Sequence, residues 1–450
     1  MEQKFYLRLT ALSLLIFMIV IFARGFNSDS DPRGSLLVSQ SIIKHGTVKL
    51  DAYQEKIFNR YGCVITNNAD WYDCVIYRKN GHYYYYFPLG TSIISVPFIA
   101  VLNLVGLDIL SYSSGISYEM YLQIIISAIS STLTFLFLFL LACLYLDSNK
   151  SLIISAITWF GTSFASTTAT ALWSHNFSTL FALSAIYFSI RSVKHQKYKS
   201  WPAIATSLFF SYLCRPTLIL LAPFLIAYIF VFSKKTAFYI SFLFVAFFMI
   251  FVGFNLREFG QILPDYYYPN RLSGGEQFFR AFYGNLLSPA RGLVVFSPIL
   301  MLVIVYFRNI TLSLRQDKAL LLILIWPIIH LIVISRFSHW WAGWSYGPRL
   351  MTDALPGIYL WLVLAVAKLD FYKPIQLGSV IVLGALSIYI NTFQGLFNEY
   401  TQRWNAEPNI DLHPDYLFDW RYPQFLHNRE RHEARLKEFS QRHPTGGLGG

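Results

Sequence analysis

The apolar positions of this chain gather into runs long enough to cross a membrane, separated by short polar connections. The run from Phe5 to Ala23, at about 1.5 Å per residue, covers roughly 30 Å of hydrocarbon as a helix. Arg24-Gly25-Phe26-Asn27 after it lacks the small-residue site of a cleaved signal peptide, so the run is expected to remain as a first span. Further spans are predicted at about 118–146, 151–171, 178–192, 200–214, 217–233, 236–256, 293–307, 319–335, 354–367 and 375–393, which makes about eleven. Residues 90–108 are also apolar, but they carry Pro97 and open on a Gly-Thr-Ser turn.

Composition agrees with the pattern: 55% of residues are hydrophobic and 13% charged, the balance of a polytopic membrane protein. Charge then sets the orientation, because short loops rich in Lys and Arg stay cytoplasmic. If 90–108 does not cross, one side receives Lys4, Arg8, Lys150, the cluster Arg191/Lys194/Lys197/Lys199, Lys234-Lys235, Arg308/Arg315/Lys318 and Lys368/Lys373. Only Glu2, Asp147, Asp317 and Asp370 oppose them there. Residues 90–108 are therefore expected to form a re-entrant or interfacial helix, with the N-terminus cytoplasmic and the C-terminus outside. The formal charge of +12 reads as membrane topology and points to no nucleic acid. The expected architecture is all-α, with a transmembrane domain over 1–393 and an external tail over 394–450.

The polar and aromatic chemistry falls on the external side, in 24–117, 172–177, 257–292, 336–353 and the tail. In the first of these loops, CVIYRKNGHYYYYF predicts a β-hairpin turning at Asn80-Gly81. Cys63 and Cys74 flank it and are placed for a disulfide or for two thiols. Cys143 and Cys214 fall within spans as packing residues.

Asp29 and Asp31 follow the first span directly, near the level of the lipid headgroups. A carboxylate there can take a proton from an attacking hydroxyl. The alternative is that one of them caps the amphipathic helix expected downstream, with Pro32 at its first position and Leu36, Leu37, Ile42 and Ile43 on the interface. In 335–356, His339, Trp340, Trp341, Trp344, Tyr346, Arg349 and Asp353 crowd into one loop. Its rings can stack on a sugar or sit in the interfacial belt. Arg349, Arg215 in LCRPT and Arg291 in SPARGLVVFSP lie at external span ends, where guanidinium groups suit a lipid phosphate. His175 in WSHN could orient that phosphate or simply be an interfacial histidine. Lys56, Lys79, Tyr83 to Tyr86 and Tyr266 to Tyr268 are weaker candidates. The chain has no GxxxxGK[ST], HExxH or paired CxxC motif, which weighs against nucleotide-driven transport and zinc hydrolysis.

Taken in order, DPRGSLL, YYYYFPLGTSIISVP, TWFGTSF before WSHN, SPARGLVVFSP and WWAGWSYGPRL resemble bacterial multi-span glycosyltransferases of the GT-C fold, the class of protein O-mannosyltransferases and lipid A aminoarabinose transferases. The resemblance runs to about residue 425. It implies an inverting transfer of sugar from a polyprenyl-phosphate donor to a lipid, glycan or protein acceptor on the outer face of a bacterial inner membrane. The base would be Asp31 or Asp29. Relatives often carry a second acid in the next short external loop, where this chain has only Ser174, His175 and Asn176. No cofactor is required, and a divalent ion held by the two aspartates is compatible with the chemistry. The competing reading is a flippase or transporter of lipid-linked saccharides; a ligase or polymerase extending a lipid-linked glycan is a third.

Overall fold

The computed structural model describes residues 2–23, 31–55, 64–65, 75–113, 116–268, 272 and 275–442. It divides into two compact units: one of 1–25, 131–170 and 269–450, and a second of 26–130 and 171–268. Each is built mainly of apolar helices. Among the described residues, five helices are long and apolar enough to cross a membrane: Phe5–Phe22, Tyr118–Ala142, Lys234–Phe259, Arg349–Val366 and Pro374–Phe397. A sixth is obtained if the bent pair Pro298–Val305 and Phe307–Gln316 counts as one span. Several expected spans are thus realised as shorter or interrupted helices, which is the pattern of a multi-pass membrane protein with broken segments.

The first unit shows how such breaks are tolerated. Apolar surroundings offer no water to a carbonyl freed by a helix interruption, so another protein group must bond it. The helix Ser148–Phe160 ends at Gly161, and another stops at Phe296 before Pro298. Asn391, fully buried in the π-helical stretch Tyr389–Phe397, donates to the carbonyls of Gly161 at 2.9 Å and Phe296 at 2.6 Å. Its own oxygen accepts from Ser166 at 2.8 Å, and Thr392 donates to the Phe160 carbonyl at 2.7 Å.

In the second unit the expected hairpin forms from strands Ile76–Lys79 and His82–Tyr85. Asn80 and Gly81 both take positive φ, 51° and 82°, as a type I′ turn demands. Strand Val64–Ile65 adds to it in parallel, and Tyr112–Ser113 pairs with Ile116–Ser117 in a separate small ribbon. Asp51 receives the Tyr83 amide at 2.8 Å, so the hairpin is anchored to the preceding chain.

Helix Ser35–His45 departs from its expected form. Its residues 35–41 are all buried, so its first two turns have no solvent or lipid face. They pack on helix Gly90–Leu104, where Ser39 donates to the Ser92 carbonyl at 2.6 Å and Asn103 to Gln40 at 3.0 Å. Only its end is exposed, where Lys44 meets Asp108 at 3.0 Å. The capping alternative for Asp31 also fails. The helix begins at Ser35, its cap is Gly34 at φ 83°, and no side chain caps it. Gly90–Leu104 is 15 residues, about 22 Å, which falls short of the hydrocarbon thickness. Asp29, Lys56, Cys63, Cys74 and the glycine-rich end 443–450 lie outside the described residues.

The close approach of Gly90 to the end of helix Trp201–Cys214 gives a test of this packing. A Cβ on Gly90 would sit 2.5 Å from the Cys214 nitrogen, whereas one on Gly253 meets nothing within 4 Å. Gly90→Ala should cost about 1–3 kcal/mol through overpacking, and Gly253→Ala should be neutral or slightly stabilising. Thermal unfolding in detergent measures both; equal midpoints for the two variants would contradict this packing.

Candidate active site

The second unit places Asp31 in a four-residue turn, Asp31-Pro32-Arg33-Gly34, which the Ser35 amide closes on the Pro32 carbonyl at 3.2 Å and whose Gly34 carbonyl accepts from Val38 of the following helix at 3.4 Å. Side chains bond it further. The Glu119 carboxylate accepts the Gly34 amide at 3.0 Å, and Gln123 donates to the Pro32 carbonyl at 3.0 Å. Ser35 donates to the same carbonyl at 2.7 Å, and the Tyr85 hydroxyl donates to the carbonyl of Asp31. Glu119 and Gln123 are four apart on helix Tyr118–Ala142 and so share a face. Asp31 and Glu119 are both buried, at 8% and 4% exposure, which places two carboxylates at one buried location.

Arg215 lies in the same unit, buried at the end of helix Trp201–Cys214, and donates to the Tyr266 hydroxyl at 3.4 Å. Tyr266 is positioned by its neighbours. Tyr267 donates to the Leu213 carbonyl at 2.8 Å, and Lys79 pairs with Asp265 at 2.9 Å, which commits Lys79 to a structural ion pair. The Tyr266 ring stands 5.6 Å from Phe87, itself 5.6 Å from Tyr85. Burial pushes the Tyr85 phenol well above its ordinary range, and the charges of Asp31, Tyr266 and Glu119 push it further. Tyr85 therefore stays protonated as a donor, and the two acids and two phenols lie within electrostatic reach of one another. His175, in the first turn of helix Ser174–Lys194, is fully buried.

The first unit assigns different work to several expected site residues. Arg291, 1% exposed, places its five N–H groups on the carbonyls of Trp341, Ala290 and Gly343 and the side-chain oxygens of Gln424 and Asn405, at 2.8–2.9 Å. Burial pulls the guanidinium below the usual arginine range, with Asp411 opposing and Arg349 adding to the effect. With every donor used, Arg291 is a clamp on the 341–343 loop and has none left for a phosphate. Trp340 and Trp341, expected against a sugar or in the interfacial belt, pack in a core with Trp404, Ile410 and Leu417. Tyr346 is likewise buried against Phe296, with its hydroxyl on the Ile390 carbonyl at 2.8 Å. Trp344 is half exposed and bonds Asn409 at 3.3 Å. His339 meets Asp411 at 3.1 Å, and Trp341 donates to the same carboxylate at 2.7 Å. Arg349 opens the 3₁₀ helix Arg349–Ala354, half-buried, and Asp353 is fully buried.

Residues 118–255 match the family model described as dolichyl-phosphate-mannose-protein mannosyltransferase. The resemblance drawn from the loop motifs is thus borne out over this stretch, which holds Glu119, Gln123, His175 and Arg215. Among curated proteins none matches the chain. Sequence reading missed Glu119, although it is the one charged residue of an otherwise apolar 25-residue helix. An ionisable group in such a position is a functional candidate by default. It also missed Gln123, Asn405, Asp411 and Gln424, whose signal exists only in three dimensions. Among the described residues, no three His, Cys, Asp or Glu side chains gather as a metal-binding set.

Two tests follow from the first unit. Arg291→Met should lower stability by at least about 3 kcal/mol, because it strands several buried carbonyls at about 1–3 kcal/mol each. A phosphate ligand would instead lose donor affinity with its stability unchanged. At Asp411, burial pushes the carboxyl up, but the hydrogen bonds from His339 and Trp341 and the charges of His339 and Arg291 outweigh it and leave it below its ordinary value. Its contribution is present above the unfolded carboxylate range, at about pH 4, and is lost as pH falls through the lower folded value. Tryptophan fluorescence through acid titration should show this transition in the wild type and lose it in Asp411→Asn.

Proposed function

We propose that the protein is an inverting glycosyltransferase that moves a sugar from a polyprenyl-phosphate donor to a hydroxyl acceptor, with Asp31 as the general base. The observation that carries this reading is the buried Asp31 carboxylate on a fixed turn, in the same unit as the buried Arg215. The family match over 118–255 supports the reaction class. In the step, Asp31 takes the proton of the acceptor hydroxyl as its oxygen attacks the anomeric carbon. The bond from that carbon to the donor phosphate breaks, and the polyprenyl phosphate leaves with the electron pair. Attack opposite the leaving group inverts the anomeric centre. Arg215 stabilises the phosphate as its charge grows, the kind of interaction that matters most in a water-poor site. His175, buried in the same unit, assists in orienting that phosphate.

The active face is proposed to lie outside a bacterial inner membrane, because the basic connections named above mark the opposite side as cytoplasmic. Asp31 is preferred to a flippase's cargo-binding charge because its turn is pinned by side chains at three backbone groups, on residues 31, 32 and 34, which suits a base that must meet one proton in one geometry.

Transfer from a panel of radiolabelled polyprenyl-phosphate monosaccharides by purified protein in nanodiscs tests the reading. Asp31→Asn should cut transfer about 10²–10⁴-fold while still binding the donor. Asp29→Asn run beside it decides between the two aspartates. Wild-type protein that binds the donors and turns none over would favour transport.

A further inference from the structure

The geometry points to Glu119 as the positioning residue for Asp31, acting with Gln123 and Tyr85 as a three-point clamp on the 31–34 turn. This inference rests on the transferase reading and deepens it. A base that deprotonates a hydroxyl must hold its oxygen within hydrogen-bond reach of one proton, and a 1 Å error costs about 10²-fold in rate. Asp31 is carried by a turn closed by the Ser35 amide on the Pro32 carbonyl at 3.2 Å, fewer backbone bonds than hold the interior of a helix or strand. Further order comes from side chains outside it.

The three contacts supply it. Tyr85 fixes the carbonyl of Asp31, Gln123 that of Pro32, and Glu119 the amide of Gly34. Gly34 stands at φ 83°, a left-handed conformation that glycine adopts without strain, so the turn closes where Glu119 can receive its amide. Glu119 and Gln123 sit on one face of a 25-residue helix, and Tyr85 ends a strand of the hairpin. A buried carboxylate is costly unless bonded, and a cap on the helix Ser35–His45 would have needed only Ser, Thr or Asn at position 34. The Glu119 acceptor, 85 residues away along the chain, instead bonds the turn from a separate helix.

Glu119→Ala removes the acceptor, whereas Glu119→Gln keeps an amide oxygen for the Gly34 amide. Tyr85→Phe leaves the ring and removes only the donor to Asp31, and serves if Glu119→Ala does not fold. Two readouts are used on the full-length protein in nanodiscs. The first is hydrogen exchange of the peptide spanning 31–37, which should accelerate in Glu119→Ala and Tyr85→Phe and stay near wild type in Glu119→Gln. The second is transfer kinetics: Glu119→Ala and Tyr85→Phe should lose kcat about 10–100-fold with donor KM within about twofold, and Glu119→Gln should recover most of it. Unchanged exchange, or a loss confined to KM, overturns the clamp. Absence of transfer in wild type overturns the transferase reading instead, and the exchange result then still decides whether Glu119 holds the turn.

Discussion

Backbone amides and carbonyls that leave a helix inside apolar surroundings must be bonded by the protein itself, and this requirement organises both units. Irregular backbone is where a chain of apolar helices can place chemistry, because regular helices present only their side chains. Several such stretches among the described residues are underwritten by buried polar side chains. Glu119, Gln123 and Tyr85 secure the turn 31–34, Arg291 and Gln424 secure 341–347, and Asn391 secures the breaks at Gly161 and Phe296. The polar residues of this protein are therefore first of all structural.

Arg215 and Arg291 form a contrast. Both are nearly inaccessible arginines beside a helix end, and in sequence each reads as a cation at a span boundary. Arg291 is fully occupied by five oxygens: two of the 341–343 loop, two of the tail and the carbonyl of its neighbour Ala290. Arg215 donates to a phenol in the aromatic group of Tyr86, Phe87 and Tyr266, in the unit that carries the two buried acids. The same residue type in the same local context serves as a clamp in one unit and as a candidate phosphate ligand in the other.

The tail shows a related division. Its Gln424 bridges Arg291, Gly347, Ser345 and Thr401, and its Asp411 joins His339 to Trp341. The aromatic loop that looks like a sugar platform in sequence is thereby packed against 404–425, with Trp344 left half exposed. Aromatic composition does not separate a platform from a core, since the same rings bury the same area in either role.

Local rules were legible from the sequence alone. Long apolar runs fixed where helices form, because span length follows from hydrocarbon thickness, and Asn80-Gly81 fixed the hairpin, because few residues adopt positive φ in succession. The residue order also carried the family resemblance and marked Asp29 and Asp31 as the candidate bases. Tertiary structure alone decided that Gly34 and not Asp31 is the N-cap of Ser35–His45 and that this helix is buried over its first turns. It also decided that Glu119 supplies the second buried acid and that Arg291 has no donor to spare. These facts depend on pairs 85 and 133 residues apart, for Glu119 with Gly34 and Arg291 with Gln424. Hydrogen bonding between distant segments leaves no periodicity in the chain, so which polar group satisfies which backbone is settled only when the helices pack.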